Sequence, residues 1–383
     1  MALSVGLFDS VCTPVYVYDR SLLDRTVETL AEVAFTHSVR VNYALKANCD
    51  ETIVGRMAAA GFGADCVSGN EVLLANKCGF PSSSIFFCGA GKTDNEIMLA
   101  LKLDIAAFVV ESLQELDVLN ELAGAFGRKA RVMLRINPDI DPHTHKYITT
   151  GTARNKFGME PSAFSVALER MSALENLEFV GLHMHIGSQI ADCGFFGAES
   201  LKMNEMVEVA EKFGRKVRYV SLGGGLGVDY DNPELNPVPD FKTWLSVIDE
   251  NLNRRPDQQV VIEPGRSLVA QCGTLIARVL YVKKGRNCNF LILDAGMNNL
   301  IRPALYGAHH LIENLSAKAR GEKQTELYEV VGPVCESADV FASDCRLPVG
   351  RRGDLIAIRT AGAYGATMAS RYNLKEIAES LYV

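Results

Sequence analysis

Eight short runs of strand-forming residues, separated by amphipathic segments, constrain the fold of this chain more than any other feature. The intervening segments, such as DETIVGRMAAAG and SLQELDVLNELAGAFG, carry apolar residues at helical spacing. Alternation of apolar strands with helices predicts a parallel sheet that is covered by helices. The runs are VRVNYALK (39–46), GADCVSG (63–69), SIFFCGAG (84–91), AAFVVES (106–112), RVMLRINP (131–138), LEFVGLHMHIG (177–187), VRYVSLGGG (217–225) and QVVIEPGRS (259–267).

Eight such units favour an α/β fold with a closed (β/α)8 barrel of the TIM type. The alternative is an open, doubly wound parallel sheet, because a strand count made from sequence can be off by one. After residue 270 the β-type runs are joined by turn-rich connections, which predicts a mostly antiparallel β domain. The early run TPVYVYD could pair with that domain. We therefore expect a barrel over 25–270 and a β-sandwich-like or β-barrel-like domain formed by 1–24 and 271–383.

Composition excludes several classes of function. The net charge is −7 and no long basic run occurs, which argues against a nucleic-acid partner. No apolar stretch approaches the roughly 20 residues of a membrane-spanning helix, and the N-terminus lacks the pattern of a signal peptide. Ten cysteines without C-x-x-C spacing are typical of reduced thiols. We expect a cytoplasmic protein without a membrane partner.

Polar residues collect at the carboxyl ends of six runs, where barrels of this type carry their functional groups. Lys46 taken alone would be an ordinary solvated lysine. A lysine, carboxylates, an arginine and a glycine-rich turn at one rim together suit an anionic cofactor. The rim residues are Lys46, Asp65, Ser68, Arg135, Asn137, His185, Ser188, Gly223, Gly224, Gly225, Glu263 and Arg266.

Two motifs on this rim are ambiguous by themselves. SLGGGLG (221–227) would let backbone amides approach a phosphate, although a triple glycine is more often only a tight turn. It is not G-x-G-x-x-G, so dinucleotide binding is poorly supported. HMHIGSQ (183–189) places His183 and His185 on one strand face, but no third ligand is convincingly spaced, and we expect no metal. Stacking of the His185 ring on a planar cofactor is a better interpretation of this residue.

Taken in order, the motifs resemble the fold-type III, alanine-racemase-fold decarboxylases that depend on pyridoxal phosphate. The resemblance extends from about residue 13 to 373, and RPALYGA, CES and GAYG resemble the branch that acts on diaminopimelate. It implies the decarboxylation of meso-2,6-diaminopimelate to L-lysine and CO2, the last step of lysine biosynthesis, with pyridoxal 5'-phosphate as cofactor. The motifs are YALKAN, DCVSGNE, HMHIGSQ, SLGGGLG, EPGRS, DAGMNNLIRPALYGA, GPVCESAD and GAYGATMASRYN.

The resemblance also assigns cofactor contacts. Lys46 would carry the cofactor covalently, since an amine with a depressed pKa is a nucleophile. Glu263 would keep the pyridine nitrogen protonated by ion pairing, and His185 would stack on the ring. Ser188, Gly224, Gly225, Gly265 and Arg266 would hold the phosphate end, and the other implied contacts are Asp65, Arg135 and Tyr364.

The substrate contacts implied by the resemblance come from two subunits of a homodimer. GPVCESAD (332–339) would cross the interface, with Cys335 as proton donor at the reacting carbon and Glu336 at the far amine of a diamino dicarboxylic acid. Arg302 and Tyr306 would bind the far carboxylate, because a planar guanidinium matches two carboxylate oxygens. Arg266 and Tyr364 would lie nearby.

Other activities remain open at this point. The nearest is a decarboxylase of ornithine, arginine or carboxynorspermidine type, and a racemase is less favoured because it needs a tyrosine where this chain has CES. A cofactor-carrier protein with the same barrel would lack the β domain, and a pseudoenzyme should have lost Lys46 or Cys335.

Some features depart from the family pattern or lie beside the site. Asn70 and Asn299 replace residues that are common in the family, and the chain ends about ten residues after RYN. The polar, turn-rich segment DPHTHKYITTGTARNKFGM (141–159) is expected to be a mobile lid.

Overall fold

The computed structural model describes residues 4–141 and 155–383, which form two compact units. The barrel unit consists of Val27–Gly227 and Asp240–Gly265. The β unit contains the chain up to Thr26, together with Val228–Pro239 and Arg266–Val383. This division differs from the expected bounds because 25–26, 228–239 and 266–270 group with the β unit.

Eight parallel strands close the barrel unit, as the strand count predicted. Each strand pairs with the next along the chain, and β9 pairs with β2, so the barrel is closed and the open-sheet alternative is wrong. The strands are β2 (Val39–Ala44), β3 (Gly63–Cys66), β4 (Ile85–Phe87), β5 (Ala107–Val110), β6 (Ala130–Arg135), β7 (Leu177–His183), β8 (Tyr219–Ser221) and β9 (Gln259–Ile262).

Several helices that follow the barrel strands begin at a capping side chain. The Thr93 side chain accepts the Glu96 N–H in a capping box. The Ser68 side chain accepts the Glu71 N–H, so this expected rim residue serves as a helix cap. The helices are α1 (Arg20–Thr36), α2 (Glu51–Ala59), α3 (Gly69–Lys77), α4 (Asp94–Leu103), α5 (Leu113–Ala125), α6 (Pro161–Arg170), α7 (Gly194–Lys212) and α8 (Phe241–Asn251).

The β unit is a mostly antiparallel sheet, and the first strand joins it, as expected. Val15 of β1 lies opposite Ile276 of β10 in an antiparallel pair, while β1 with β16 and β11 with β13 are parallel. The strand order is β12-β15-β10-β11-β13-β14. The elements are β1 (Val15–Tyr18), β10 (Gly273–Lys284), β11 (Asn289–Leu293), β12 (Ile312–Asn314), β13 (Thr325–Val331), β14 (Val340–Pro348), β15 (Leu355–Ile358), β16 (Glu379–Tyr382) and the short helices α9 (Arg266–Val269), α10 (Arg302–Tyr306) and α11 (Leu315–Ala319).

Both units bury apolar side chains in their own cores. In the barrel unit, the rings of Phe196 on α7 and Trp244 on α8 lie 5.5 Å apart and are fully buried. In the β unit, Val15, Ile276 and Leu355 belong to one buried cluster. Of the helices in the described residues, none has the length and apolar character needed to span a membrane.

Two barrel glycines should respond to alanine in opposite directions. At Gly181 in β7, a Cβ would lie 2.3 Å from the carbonyl oxygen of Tyr219 on β8, whereas no atom lies within 4 Å of a Cβ at Gly55 in α2. Gly181→Ala should lower the free energy of unfolding by about 1–3 kcal/mol through overpacking. Gly55→Ala should raise it by about 0.5–1 kcal/mol, because helical glycine is entropically unfavourable. Urea denaturation measures both changes, and a Gly181→Ala variant as stable as Gly55→Ala would contradict this packing.

Candidate active site

A buried carboxylate lies at the carboxyl ends of three adjacent barrel strands. Glu263 follows β9, and its Oε1 accepts a hydrogen bond from Ser221 Oγ at the end of β8, at 2.7 Å. Its Oε2 accepts one from His183 Nε2 at the end of β7, at 2.9 Å. Burial raises the pKa of Glu263, but the opposing effects of His183, Ser221 and Lys46 are larger together and hold the pKa below its ordinary value. Glu263 is therefore an anion, and each of its oxygens can accept a second hydrogen bond.

The histidine beside this carboxylate is one of its hydrogen-bond donors. Because a carboxylate only accepts, His183 donates from Nε2, and its buried Nδ1 has no hydrogen-bond partner among the described residues. Ligand atoms of Cys88, His183 and Glu263 lie within 4.8 Å of one another. Burial, followed by Asp65 and Glu263, raises the pKa of the Cys88 thiol well above its usual value. His185, which the sequence paired with His183, is not part of this group.

The second histidine of the motif is a neutral ring. Burial, followed by the charges of Arg135 and Lys46, holds the pKa of His185 well below its ordinary value. The Gly224 N–H donates to His185 Nδ1 at 3.3 Å, so the proton of the neutral ring lies on Nε2. A Cβ at Gly223 would come within 2.6 Å of that Nδ1. His185 therefore presents an uncharged aromatic face.

The glycine-rich turn packs tightly against the neighbouring strand ends. A Cβ at Gly224 would lie 2.2 Å from the Glu263 carbonyl oxygen, and one at Gly225 would lie 2.5 Å from the Gly187 carbonyl oxygen. Gly225 also has a φ of +118°, a conformation that side chains disfavour. Close packing accounts for these glycines whether or not the turn binds an anion.

Lys46 lies at the rim beside a buried carboxylate. It belongs to a single 3-10 turn, Leu45–Ala47, directly after β2. Its Nζ donates to Asp65 Oδ2 at 2.7 Å; the side chain of Lys46 is 38% exposed and that of Asp65 is 1% exposed. Asp65 Oδ1 has no hydrogen-bond partner among the described residues. The Lys46 side chain is thus partly exposed while its partner is buried.

Gly265 and Ser188 are two other residues that the sequence predicted for this site. A Cβ at Gly265 would lie 2.9 Å from the Cβ of Ala47, so glycine allows the EPGR turn to approach the turn that contains Lys46. Ser188 is half-buried and follows β7.

Arg135 at the end of β6 is paired with an acid that sequence reasoning missed. Its Nη1 donates to Glu111 Oε1 at 2.8 Å, and both side chains are buried. Glu111 also accepts the Gly158 N–H at 2.9 Å, and the Arg135 guanidinium lies 4.8 Å from the Phe157 ring centre. Glu111 directly follows β5 in the run AAFVVES, so its strand-end position was the signal that could have identified it.

Two buried arginines of the β unit share a tyrosine. Arg266 Nη1 donates to the Tyr230 hydroxyl at 2.7 Å, and the Arg302 guanidinium lies 4.8 Å from the Tyr230 ring centre. Arg266 also lies 4.8 Å from the Tyr364 ring centre. Tyr306, the last residue of α10, is half-buried. The structure therefore brings Arg266, Arg302 and Tyr364 together around Tyr230, which the sequence reading did not single out.

Cys335 and Glu336 lie on an exposed loop of the β unit. The Cys335 N–H donates to Asn373 Oδ1 at 2.8 Å, and the Tyr372 hydroxyl donates to Glu336 Oε2 at 3.4 Å. These hydrogen bonds are made to the C-terminal segment rather than to Arg266 or Arg302.

The two residues that depart from the family pattern, Asn70 and Asn299, can be located in the structure. Asn70 is exposed in the first turn of α3. Asn299 is buried; its Oδ1 accepts the Gly296 N–H at 3.2 Å, and its carbonyl accepts the Tyr16 hydroxyl at 2.6 Å. Residues 142–154 of the expected lid lie outside the described residues.

Comparison with known proteins defines the class of enzyme first. Residues 21–270 match the family model described as pyridoxal-dependent decarboxylase, pyridoxal binding domain, which covers the barrel and places the rim in a pyridoxal-dependent enzyme. Diaminopimelate decarboxylase of Bacteroides thetaiotaomicron is 47% identical over 374 residues, covering 97% of this chain and 96% of the relative. Diaminopimelate decarboxylase of Aquifex aeolicus is 40% identical over 372 residues, covering 97% and 86%.

A solved structure agrees with the sequence relatives. The crystal structure of diaminopimelate decarboxylase from Helicobacter pylori, complexed with L-lysine, has a TM-score of 0.92 at 39% identity and covers 99% of this chain and 93% of that chain. The chain belongs to the pyridoxal-dependent decarboxylases and, among them, to the diaminopimelate decarboxylase family.

Proposed function

We propose that this protein decarboxylates meso-2,6-diaminopimelate to L-lysine and CO2. The observation that carries the proposal is Arg302, which is 5% exposed and has no carboxylate partner among the described residues. Burial, and then the charge of nearby Arg266, disfavour the charged form, although Tyr230 favours it, and the pKa of Arg302 is lowered. A buried cation without an anionic partner is costly, so the site favours an anionic ligand. A dicarboxylic substrate supplies a carboxylate besides the one that is lost.

The barrel rim fits pyridoxal phosphate. When bound, this cofactor accepts electrons from the carbon that loses CO2. Lys46 would carry it, since its side chain is partly exposed and Asp65 retains a buried oxygen without a partner. Glu263, kept ionised by its hydrogen bonds, would accept a hydrogen bond from the protonated pyridine nitrogen. His185, being neutral, would offer its ring face without repelling that positive charge.

The remaining roles follow the family resemblance. The glycine turn would supply backbone N–H groups to the phosphate, as turns of this kind do elsewhere. Arg266 would add a buried positive charge. The residues proposed for the phosphate end are Ser188, Gly224, Gly225, Gly265 and Arg266, and the further cofactor contacts are Asp65, Arg135 and Tyr364.

We further propose a homodimer in which each site is completed by the partner subunit. Cys335 and Glu336 are exposed in the single chain, which is expected of residues that act on a neighbouring subunit. Cys335 would donate a proton at the carbon that has lost CO2, and Glu336 would bind the far amine. Arg302 and Tyr306 would bind the far carboxylate. The ten free cysteines support a cytoplasmic location.

Substrate choice should depend on Arg302. The wild-type protein should release CO2 from meso-diaminopimelate and leave ornithine and lysine nearly untouched. Arg302→Ala should lower kcat/KM for diaminopimelate by roughly 10- to 100-fold, the worth of a charged hydrogen bond, and barely change residual activity on ornithine.

Arg352→Ala is the matched control for this substitution. Arg352 also lies over a tyrosine ring, that of Tyr281, at 5.5 Å, but it is exposed. This variant should keep wild-type kinetics. Faster turnover of ornithine than of diaminopimelate by the wild-type protein would refute the proposed activity.

Complementation between inactive variants tests the shared site. Lys46→Ala and Cys335→Ala should each be nearly inactive. Mixing them under conditions of subunit exchange should restore activity, because some heterodimers then hold one intact site. A mixture of Lys46→Ala with Glu263→Gln should not recover, since both residues belong to the same barrel. Failure of the first mixture despite demonstrated exchange would place Lys46 and Cys335 in one subunit's site.

A further inference from the structure

Arg302 is held by contacts that leave one of its buried N–H donors without a hydrogen-bond acceptor. Its Nη1 lies 2.9 Å from His310 Nε2, and the Tyr230 ring lies beneath the guanidinium. Its Nε is buried and has no hydrogen-bond partner in the described part of the chain. The ring of Tyr230 also packs edge-on against His310, with ring centres 5.3 Å apart. Arg302 is therefore fixed on two sides by side chains that carry no negative charge.

The hydrogen bonds of His310 determine which of its nitrogens can accept. His310 Nδ1 lies 2.8 Å from the Arg359 carbonyl oxygen, which can only accept, so Nδ1 carries the proton. His310 Nε2 then has a lone pair, and it faces Arg302 Nη1, which can only donate. Burial, followed by the charge of Arg302, lowers the pKa of His310 to about 3. The imidazole is thus a neutral acceptor at physiological pH.

The carbonyl that orients His310 is itself anchored. The side chain of Arg359, which follows β15, donates from Nε to Glu313 at 2.6 Å and from Nη2 to Glu234 at 3.0 Å. Two ion pairs therefore restrain the residue whose carbonyl sets the His310 tautomer. A continuous series of contacts runs from Arg359 through His310 to Arg302.

We propose that His310 is a positioning residue for substrate recognition, which fixes the orientation in which the Arg302 guanidinium receives the far carboxylate. The inference rests on the proposed function. His310 is neutral, so it can fix the direction of the Arg302 guanidinium without compensating its positive charge. The negative charge that Arg302 requires must then come from the ligand. An aspartate or glutamate at position 310 would form an ion pair with Arg302 inside the protein, and Arg302 would then no longer require an anionic ligand.

Three variants separate orientation from simple support of the fold. His310→Gln keeps an acceptor near the position of Nε2, His310→Leu removes both hydrogen bonds, and His310→Asn keeps a donor near Nδ1 but no acceptor for Arg302. If His310→Leu does not fold, the comparison of Asn with Gln still decides.

The readout is calorimetric binding of two amines to the cofactor-loaded protein, together with steady-state kinetics. L-Lysine retains the far carboxylate after CO2 loss, whereas cadaverine lacks it. His310→Leu and His310→Asn should weaken L-lysine binding by roughly 10-fold or more, and raise KM for diaminopimelate more than they lower kcat. Cadaverine binding should be unchanged, and His310→Gln should retain most of the L-lysine affinity.

Distinct results overturn each claim. Unchanged L-lysine binding in His310→Asn, an equal loss of L-lysine and cadaverine binding, or a Gln variant as impaired as Leu would each refute the positioning role while leaving the decarboxylase activity in place. A wild-type protein that releases no CO2 from diaminopimelate would refute the proposed function, and this inference with it.

Discussion

The state of one buried carboxylate controls what the barrel can do. Glu263 remains an anion because Ser221 and His183 donate to it from the ends of two neighbouring strands. Glu199, on α7 of the same barrel, is also buried but has no hydrogen-bond partner for either oxygen among the described residues. Burial, and then the negative charge of Glu263, raise the pKa of Glu199 well above its usual value, which favours its neutral form. The hydrogen-bond partners of each glutamate, rather than its residue type or its burial, therefore determine which charge state is favoured.

The Glu263 interaction is coupled to the rest of the rim through close backbone packing. The Glu263 carbonyl leaves no room for a side chain at Gly224, and the Gly224 N–H in turn donates to His185. The positions of the acid, the glycine turn and the neutral ring therefore depend on one another. A substitution in the turn would change the placement of His185 and Glu263 as well as any phosphate contact.

The sequence predicted the parts of the structure that depend on periodicity. Eight apolar runs separated by helical patterns specify a closed barrel, and the strand-end rule locates Lys46, Asp65 and Glu263. Pairing between distant segments leaves no such pattern. Tyr230 and His310 acquire their roles from contacts that only the folded chain creates.

The helix cap at Ser68 could have been recognised from the sequence and was not. The spacing of Ser68 and Glu71 is that of a helix cap, which explains Ser68 without a role at the rim. The grouping of Val228–Pro239 with the β unit was not foreseen, because nothing in that segment departs from an ordinary loop composition.

Replacing the two buried barrel glutamates by glutamine tests the central claim most directly. Glu263→Gln should retain pyridoxal phosphate but lose roughly 100- to 1,000-fold in turnover of diaminopimelate, the usual cost of removing a preorganised electrostatic partner. Glu199→Gln exchanges one neutral group for another of the same shape and should keep near-normal turnover. Near-normal turnover in Glu263→Gln, or equal losses in both variants, would contradict the account.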